Sequence, residues 1–307
     1  LPGSYYLIII PLYSFFLSGK VVGMNMSPLE IKKFQKIIWD YYITSGRKNL
    51  PWRKSINPYK IWVSEVMLQQ TQVDRVVPFF IAWMKQFPTI QKLANASQVD
   101  ILRLWKGLGY NSRALRMKQT AQIIVKNYKG KFPKTVELLQ KLPGIGPYTA
   151  GAIGAFAYNQ PLNFIETNIR RVFIHHFFTD RSDVHDDEIL LLVEQTLDIK
   201  KPREWYWALM DYGAFLGRTL NIKGKKYNPN IQSKHYTKQS KFAGSDREIR
   251  GDILSILLQE KNTTTFNKLV ISLKKYSENI SRINKILNQL ENEGFIVFNN
   301  TKIVLKK

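Results

Sequence analysis

Two glutamates far apart in the chain, Glu65 and Glu166, carry the most suggestive chemistry. Glu65 lies between Ile61-Trp62-Val63 and Val66-Met67-Leu68, an apolar setting in which lost hydration would raise a carboxyl pKa and make a proton donor. Glu166 stands in Phe164-Ile165-Glu166-Thr167-Asn168, where a helix begins. Cleavage of an N-glycosidic bond needs an acid for the departing base and an anion near the cationic sugar, so the chain must fold back to bring such a pair to one cleft. Between the two lies Leu142-Pro143-Gly144-Ile145-Gly146-Pro147-Tyr148. Gly144 and Gly146 permit close backbone approach, and amides at the helix start that follows can bind phosphate. Each feature also has a plainer reading: a helix-surface glutamate, an N-terminal helix acid, and a tight turn between helices without a ligand.

The elements that must position these residues are mostly helical. Ser27-Pro28-Leu29-Glu30 has an N-cap serine, a proline at the first helical position and a capping-box glutamate. Ile31, Phe34, Ile37, Ile38 and Tyr41 then repeat at helix spacing, with a break at Gly46 and Pro51 and a second helix after Pro58. Val99–Leu104 and the series Ala114, Met117, Ala121, Ile124, Val125, Tyr128 predict two more helices, separated by Gly107-Leu108-Gly109. Prolines divide the rest into short helical segments, so residues 27–220 are expected to form an all-α domain. Further on, Arg247–Leu258, Phe266–Leu273 and the series Ile283, Ile286, Leu287, Leu290 predict three helices. Phe295–Phe298 and Lys302–Leu305 read as two strands around Asn299-Asn300. Three helices and a hairpin are similar to a winged helix, a module that contacts DNA or protein.

Lysine and arginine number 46 against 23 acidic residues, a formal charge of +23, which a polyanionic partner would neutralise. A lysine-rich composition from an AT-rich genome is the bland alternative. The segment from Gly217 to Ser245 contains Arg218, Lys223, Lys225, Lys226, Lys234, Lys238 and Lys241 and no acid, and repels itself unless phosphates are near. The absence of cysteine excludes disulfides, thiolate metal sites and a cysteine-ligated iron–sulfur cluster. His175 and His176 are adjacent and diverge, so no metal site is expected. The apolar run Tyr5–Leu17 holds Pro11 and falls short of the roughly 20 residues a transmembrane helix needs. Residues 1–26 are expected to be a non-native or disordered extension, with Met24 and Met26 marking the true start.

From Phe34 to Ala214 the chain resembles the MutY-type adenine glycosylases, within the helix-hairpin-helix superfamily that includes endonuclease III. The resemblance rests on Ser64-Glu-Val-Met-Leu-Gln-Gln-Thr-Gln-Val73, Gly107-Leu-Gly-Tyr110, the Gly144–Gly146 hairpin, Phe164–Asn168 and Ala208-Leu-Met-Asp-Tyr-Gly213, in that order. It implies a mainly α, two-lobed helix-hairpin-helix DNA glycosylase fold with a small C-terminal winged-helix-like α+β domain. The expected divisions are 27–220 for the glycosylase domain, 221–245 for a basic linker and 246–307 for the winged-helix-like domain. It further implies that Glu65 protonates the adenine leaving group and later helps activate water, and that Glu166 stabilises the sugar cation. Tyr148 and Asn168 would support this pair by hydrogen bonding. Gln70 and Tyr110 would wedge into the DNA stack as the target base is extruded. Gln69, Thr71, Gly144 and Gly146 would contact DNA. Leu68, Val73 and Thr71 would line the lesion or flipped base, and Trp52 would cover the base pocket.

Tyr148 stands where bifunctional relatives hold a lysine, which implies hydrolysis without strand cleavage. Several positions depart from the pattern. Glu166 replaces the usual aspartate, and the basic segment replaces the four-cysteine cluster region, so no cofactor is expected. Trp207 stands where relatives often place Gln or Glu, and winged-helix character is expected in the residues where the family usually carries a nudix-like domain. The expectation is a monofunctional, monomeric glycosylase removing adenine opposite guanine or 8-oxoguanine from double-stranded DNA, cytoplasmic and nucleoid-associated, without membrane attachment. Two rival expectations are a thymine or uracil mismatch glycosylase and a catalytically silent DNA damage-binding protein.

Overall fold

The computed structural model describes residues 25–222, 225–276 and 279–306, so the extension expected before residue 25 lies outside the described residues. In chain order the helices are α1 (Pro28–Ser45), α2 (Pro58–Leu68), α3 (Val73–Gln86), α4 (Ile90–Ala94), α5 (Gln98–Trp105), α6 (Ser112–Tyr128), α7 (Val136–Gln140), α8 (Pro147–Tyr158), α9 (Thr167–Phe177), α10 (Asp186–Thr196) and α11 (Pro202–Thr219). Two short strands, β1 (Asn221–Ile222) and β2 (Lys225–Lys226), follow and pair antiparallel. The chain closes with α12 (Asp246–Gln259), β3 (Thr263–Thr265), α13 (Phe266–Ser272), α14 (Ile280–Asn292), β4 (Ile296–Asn299) and β5 (Lys302–Leu305). No helix among the described residues is long and apolar enough to cross a membrane.

These elements form two compact units that cut across the linear order. The first joins the described residues up to Lys48 to Asn159–Thr237; the second joins Asn49–Tyr158 to the residues from Lys238 onward. The division expected at 220 and 245 therefore does not coincide with the packing, because a hydrophobic core gathers helices irrespective of their place in the chain.

In the first unit α9 and α11 pack closely, with α1 against α11. The start of α1 is fixed as its sequence demands: the Ser27 side chain accepts from the Glu30 amide, and the Glu30 carboxylate accepts from the Ser27 amide at 2.7 Å. Phe34 fills the centre, its ring 5.3 Å from that of Phe173 and 5.4 Å from His176. Two glycines set how near α11 comes to α9. A Cβ on Gly213 would lie 2.2 Å from the Asn168 carbonyl oxygen, and one on Gly217 would lie 2.7 Å from the Arg171 guanidinium. The first contact is with backbone, so glycine at 213 is a packing requirement; the second is with the end of the Arg171 side chain, which a residue at 217 would have to displace. Asp211, 1% exposed, receives the Arg47 backbone amide at 2.8 Å and its Nε at 2.7 Å, fastening α11 to the segment after α1.

The second unit is built around α2, which is apolar on almost every side. Ile61, Trp62, Val63, Val66 and Met67 are buried, and α8 packs against them with small residues, Ala150, Gly151, Ala152, Gly154 and Ala155. The C-terminal elements are not a separate body. Ile249, Ile253, Leu254 and Leu257 of α12 share one core with Val99 and Leu102 of α5 and Leu115 of α6. The Gln98 amide donates to the Gly294 and Phe295 carbonyls at 3.0 and 3.3 Å. The three expected helices and hairpin are present, and β3 adds a strand, giving the order β3-β5-β4 with Thr264 opposite Ile303 and Phe298 opposite Ile303 on the other side.

The first unit carries a pH liability. Burial, with a smaller push from His175, lowers the His176 imidazole from its ordinary 6.5 to about 3. The unfolded chain binds this proton below 6.5 and the folded one does not, so stability is full above that pH and falls as pH drops toward about 3. His176→Gln, which keeps a polar partner for the Tyr212 hydroxyl 3.2 Å away, is expected to flatten this loss in thermal melts between about pH 6 and 4. An acid slope identical to the wild type would remove His176 as its source.

Candidate active site

Glu65 sits in the last turns of α2 and is 4% exposed, so it is not a helix-surface glutamate. Its Oε2 accepts a hydrogen bond from the Tyr148 hydroxyl, which comes from the first turn of α8. A carboxyl and a phenol thus meet inside the apolar contact of these two helices. Just before α8, Gly144 adopts a left-handed φ of 76°, and a Cβ there would press on Arg116 at 3.1 Å, while Gly146 faces open space. Thr120 donates to the Pro143 carbonyl at 2.7 Å and fixes the turn from α6. The result is an exposed hairpin of backbone at a helix start, a geometry that binds phosphate.

The chain leaves α2 through Gln69, Gln70 and Thr71, with Gln70 at a left-handed φ of 57°. A second turn, Gly107–Tyr110, puts Tyr110 at φ 48°. Non-glycine residues there are uncommon and need external support. Arg113 supplies it. Its Nη1 donates to the Val66 and Gln69 carbonyls, each at 2.7 Å, and its Nη2 to Leu108 and Gly109 at 3.2 and 3.0 Å. The guanidinium also lies 5.2 Å from the Trp105 ring centre and 5.6 Å from that of Tyr110. Arg113 is 8% exposed, and burial lowers its pKa from 12.5 to about 10. Sequence reasoning overlooked it, although its place on the buried face of α6 with Met117, Thr120 and Ile124 was a readable sign.

Glu166 belongs to the first unit and is the N-cap of α9. One carboxylate oxygen accepts the Asn168 and Ile169 amides at 2.7 and 2.9 Å; the other accepts the Asn168 side-chain amide at 3.1 Å. Arg171 donates to Asn168 Oδ1 at 2.7 Å and to the Gly213 carbonyl at 2.8 Å, which fixes the Asn168 amide orientation. Burial pushes the Glu166 carboxyl above its ordinary value, against the pull of these amides and of Arg171. The plain helix-acid role is therefore real, and the extra methylene is used in curling back onto the helix start.

Of the remaining residues, Leu68, Thr71 and Val73 are half-buried and Gln69 lies between Arg113 and the Thr71 hydroxyl. Trp52 differs from expectation. It is 5% exposed with its ring 5.4 Å from Phe80, so it fills the core and offers little surface to a base. Trp207 is half-buried on α11. Arg218, Lys234, Lys238 and Lys241 are exposed, as the sequence of the basic segment requires.

Residues 63–195 match the family described as the HhH-GPD superfamily base excision DNA repair protein. An adenine DNA glycosylase of Mycolicibacterium smegmatis is 31% identical over 262 residues, covering 79% of this chain and 84% of that protein. The chain belongs to the HhH-GPD superfamily. An adenine DNA glycosylase of Buchnera aphidicola subsp. Baizongia pistaciae is 39% identical over 191 residues, 62% of this chain; the chain spans only 54% of that relative's length. Among solved structures, a thermostable thymine-DNA glycosylase shares the fold at a TM-score of 0.53 and 23% identity, covering 60% of this chain and 86% of that one. The superfamily resemblance brings with it a four-cysteine iron–sulfur cluster, and the residues here do not fit one. The chain has no cysteine, and no group of three metal-binding side chains occurs among the described residues. After α11 the chain is instead held by side-chain amides, Asn230 donating to the Thr167 carbonyl at 3.0 Å and Gln232 to Phe178 and Thr179 at 3.1 and 2.7 Å.

Arg113→Met removes the donors for the Val66, Gln69, Leu108 and Gly109 carbonyls at once. Urea unfolding is expected to show a loss of about 3 kcal/mol, since each buried acceptor left bare costs roughly 1–3 kcal/mol and part is recovered by relaxation. Stability within about 0.5 kcal/mol of the wild type would show that the two turns hold themselves.

Proposed function

We propose that this chain is a monofunctional DNA glycosylase of base excision repair that hydrolyses the N-glycosidic bond of an extruded adenine mispaired with guanine or 8-oxoguanine. The observation that carries the reading is the buried Glu65 carboxyl bonded by the Tyr148 phenol, at a position where strand cleavage would need an amine. Relatives bearing the adenine glycosylase name support the choice of base.

The chemistry follows from the groups present. The Glu65 carboxyl gives its proton to a ring nitrogen of adenine, the C1′–N bond breaks, and the bonding pair leaves with the neutral base. The electron-poor sugar is stabilised by the Glu166 carboxylate, whose amide partners keep it in place. Glu65, now a carboxylate, takes a proton from water as the oxygen adds to C1′. Tyr148 cannot form an imine with the sugar, so the backbone stays intact until alkali cleaves it.

Extrusion precedes all of this, because the bond is inaccessible within the stack. Gln70 and Tyr110 wedge into the vacated space, Leu68, Thr71 and Val73 border the base, and the Gly144–Gly146 amides hold a backbone phosphate. The formal charge of +23 and the exposed lysines of the basic segment support binding to duplex DNA. The proposed enzyme acts as a monomer in the cytoplasm, at the nucleoid. The reaction as written calls on no iron–sulfur cluster.

Single-turnover assays on duplexes with A:8-oxoguanine, A:G, T:G and U:G, each followed by alkali, test the reading. The adenine duplexes are expected to be cut, and Glu65→Gln to slow them about 10²–10⁴-fold. Cutting of T:G or U:G instead would make this a pyrimidine mismatch enzyme, and no cutting a damage-binding protein. At the second carboxylate, Glu166→Asp is expected to stay within about tenfold of the wild type and Glu166→Gln to lose about a hundredfold. Full activity in Glu166→Gln would leave Glu166 as a helix cap alone.

A further inference from the structure

The two residues read as the DNA wedge are not free. The side-chain amide of Gln239 donates to Gln70 Oε1 at 2.8 Å and also to the Tyr110 hydroxyl. Arg247 Nη1 donates to the same hydroxyl at 2.7 Å, and its guanidinium lies 5.6 Å from the Tyr110 ring centre. Arg113 stands at the same 5.6 Å, so the phenol is flanked by two guanidinium groups. Arg247 in turn donates to Ser240, to its carbonyl at 2.8 Å and its hydroxyl at 3.1 Å, which ties the segment before α12 to the first turn of that helix.

This bracket is anchored rather than loose. Arg247 begins a helix whose apolar face, Ile249, Ile253 and Leu257, is fully buried in the core shared with α5 and α6. The C-terminal elements thus set the position of a guanidinium, and the guanidinium sets a side chain on the opposite turn. Exposed glutamine and tyrosine side chains would otherwise sample several rotamers, and DNA would have to freeze them. We propose that Gln239 and Arg247 are positioning residues for the wedge, holding Gln70 and Tyr110 in the orientation from which they enter the base stack. The C-terminal elements therefore serve base extrusion as well as whatever surface they offer to DNA. This inference rests on the glycosylase reading above.

The full chain is compared with Gln239→Ala, Arg247→Ala and Arg247→Lys on a duplex holding A:8-oxoguanine beside a 2-aminopurine that brightens on extrusion. Arg247→Ala and Gln239→Ala are expected to lower both the extrusion signal and the single-turnover rate, by about tenfold for Arg247, with the Kd for undamaged duplex within about twofold. Arg247→Lys should recover only part, since an ammonium does not reproduce a planar group over the ring. On a Tyr110→Phe background, Arg247→Ala should cost less than in the wild type, because the hydroxyl bond is already gone and only the ring contact remains to be lost. A parallel loss of duplex affinity, steeper in salt and fully restored by lysine, would make Arg247 a phosphate contact and overturn the proposal. Unchanged or faster extrusion in the alanine variants would overturn it too, while leaving the glycosylase reading intact. No cleavage by the wild type would sink both.

Discussion

A single buried guanidinium, that of Arg113, decides the shape of the two turns that carry Gln70 and Tyr110. Five carbonyl oxygens, those of Val66, Met67, Gln69, Leu108 and Gly109, solvate it. A desolvated cation tolerates little misplacement of its acceptors, and the C-terminal end of α2 presents carbonyls bearing the negative end of the helix dipole. The turn after α2 and the turn after α5 are therefore held to one another through a charge. Arg75 and the Trp105 indole add bonds to the Gly107 and Gly109 carbonyls. Because Glu65 lies on α2 barely one turn before that end, it and both left-handed residues share one support. Loss of geometry in any of the three would be felt by the others.

Much of this was legible in the sequence where a local rule sufficed. The capping box at Ser27–Glu30, the apolar face of α6 and the helices and hairpin from Arg247 onward follow from short-range patterns, and Glu65 lies in a segment whose neighbours already demanded burial. What escaped was set by long-range packing or by polar residues without a pattern. The strand β3 is Thr263–Thr265, which has no alternation between apolar and polar residues and becomes a strand only because β5 is there to pair with it. Arg113 falls at helix spacing from Met117, Thr120 and Ile124, a sign easily lost among the many arginines and lysines of a basic chain. Trp52 matched a pocket residue by position, yet Phe80 provides the ring contact that draws it inward.

The two carboxylates show how differently burial can be arranged. Glu65 is surrounded by hydrocarbon and accepts a hydrogen bond from the Tyr148 phenol. Glu166 is wrapped in amides at a helix start, which favour its charge, while burial opposes it and raises the carboxyl above its ordinary value. The glycines of α11 stand behind the second of these: without the close approach at Gly213 and Gly217, Arg171 and Asn168 would have no fixed place from which to hold Glu166.

The core shared by α5, α6 and α12 has a consequence for how the protein is made. Val99, Leu102 and Leu115 are joined to partners some 150 positions further along, with all of Asn159–Thr237 synthesised in between. During translation these side chains emerge from the ribosome well before their cover exists. The second unit can close only when the last helices and strands have been released, so its folding is governed by a long loop closure rather than by neighbours in the chain. A nascent chain of this protein therefore carries an exposed apolar seam on α5 and α6 until those last elements are released.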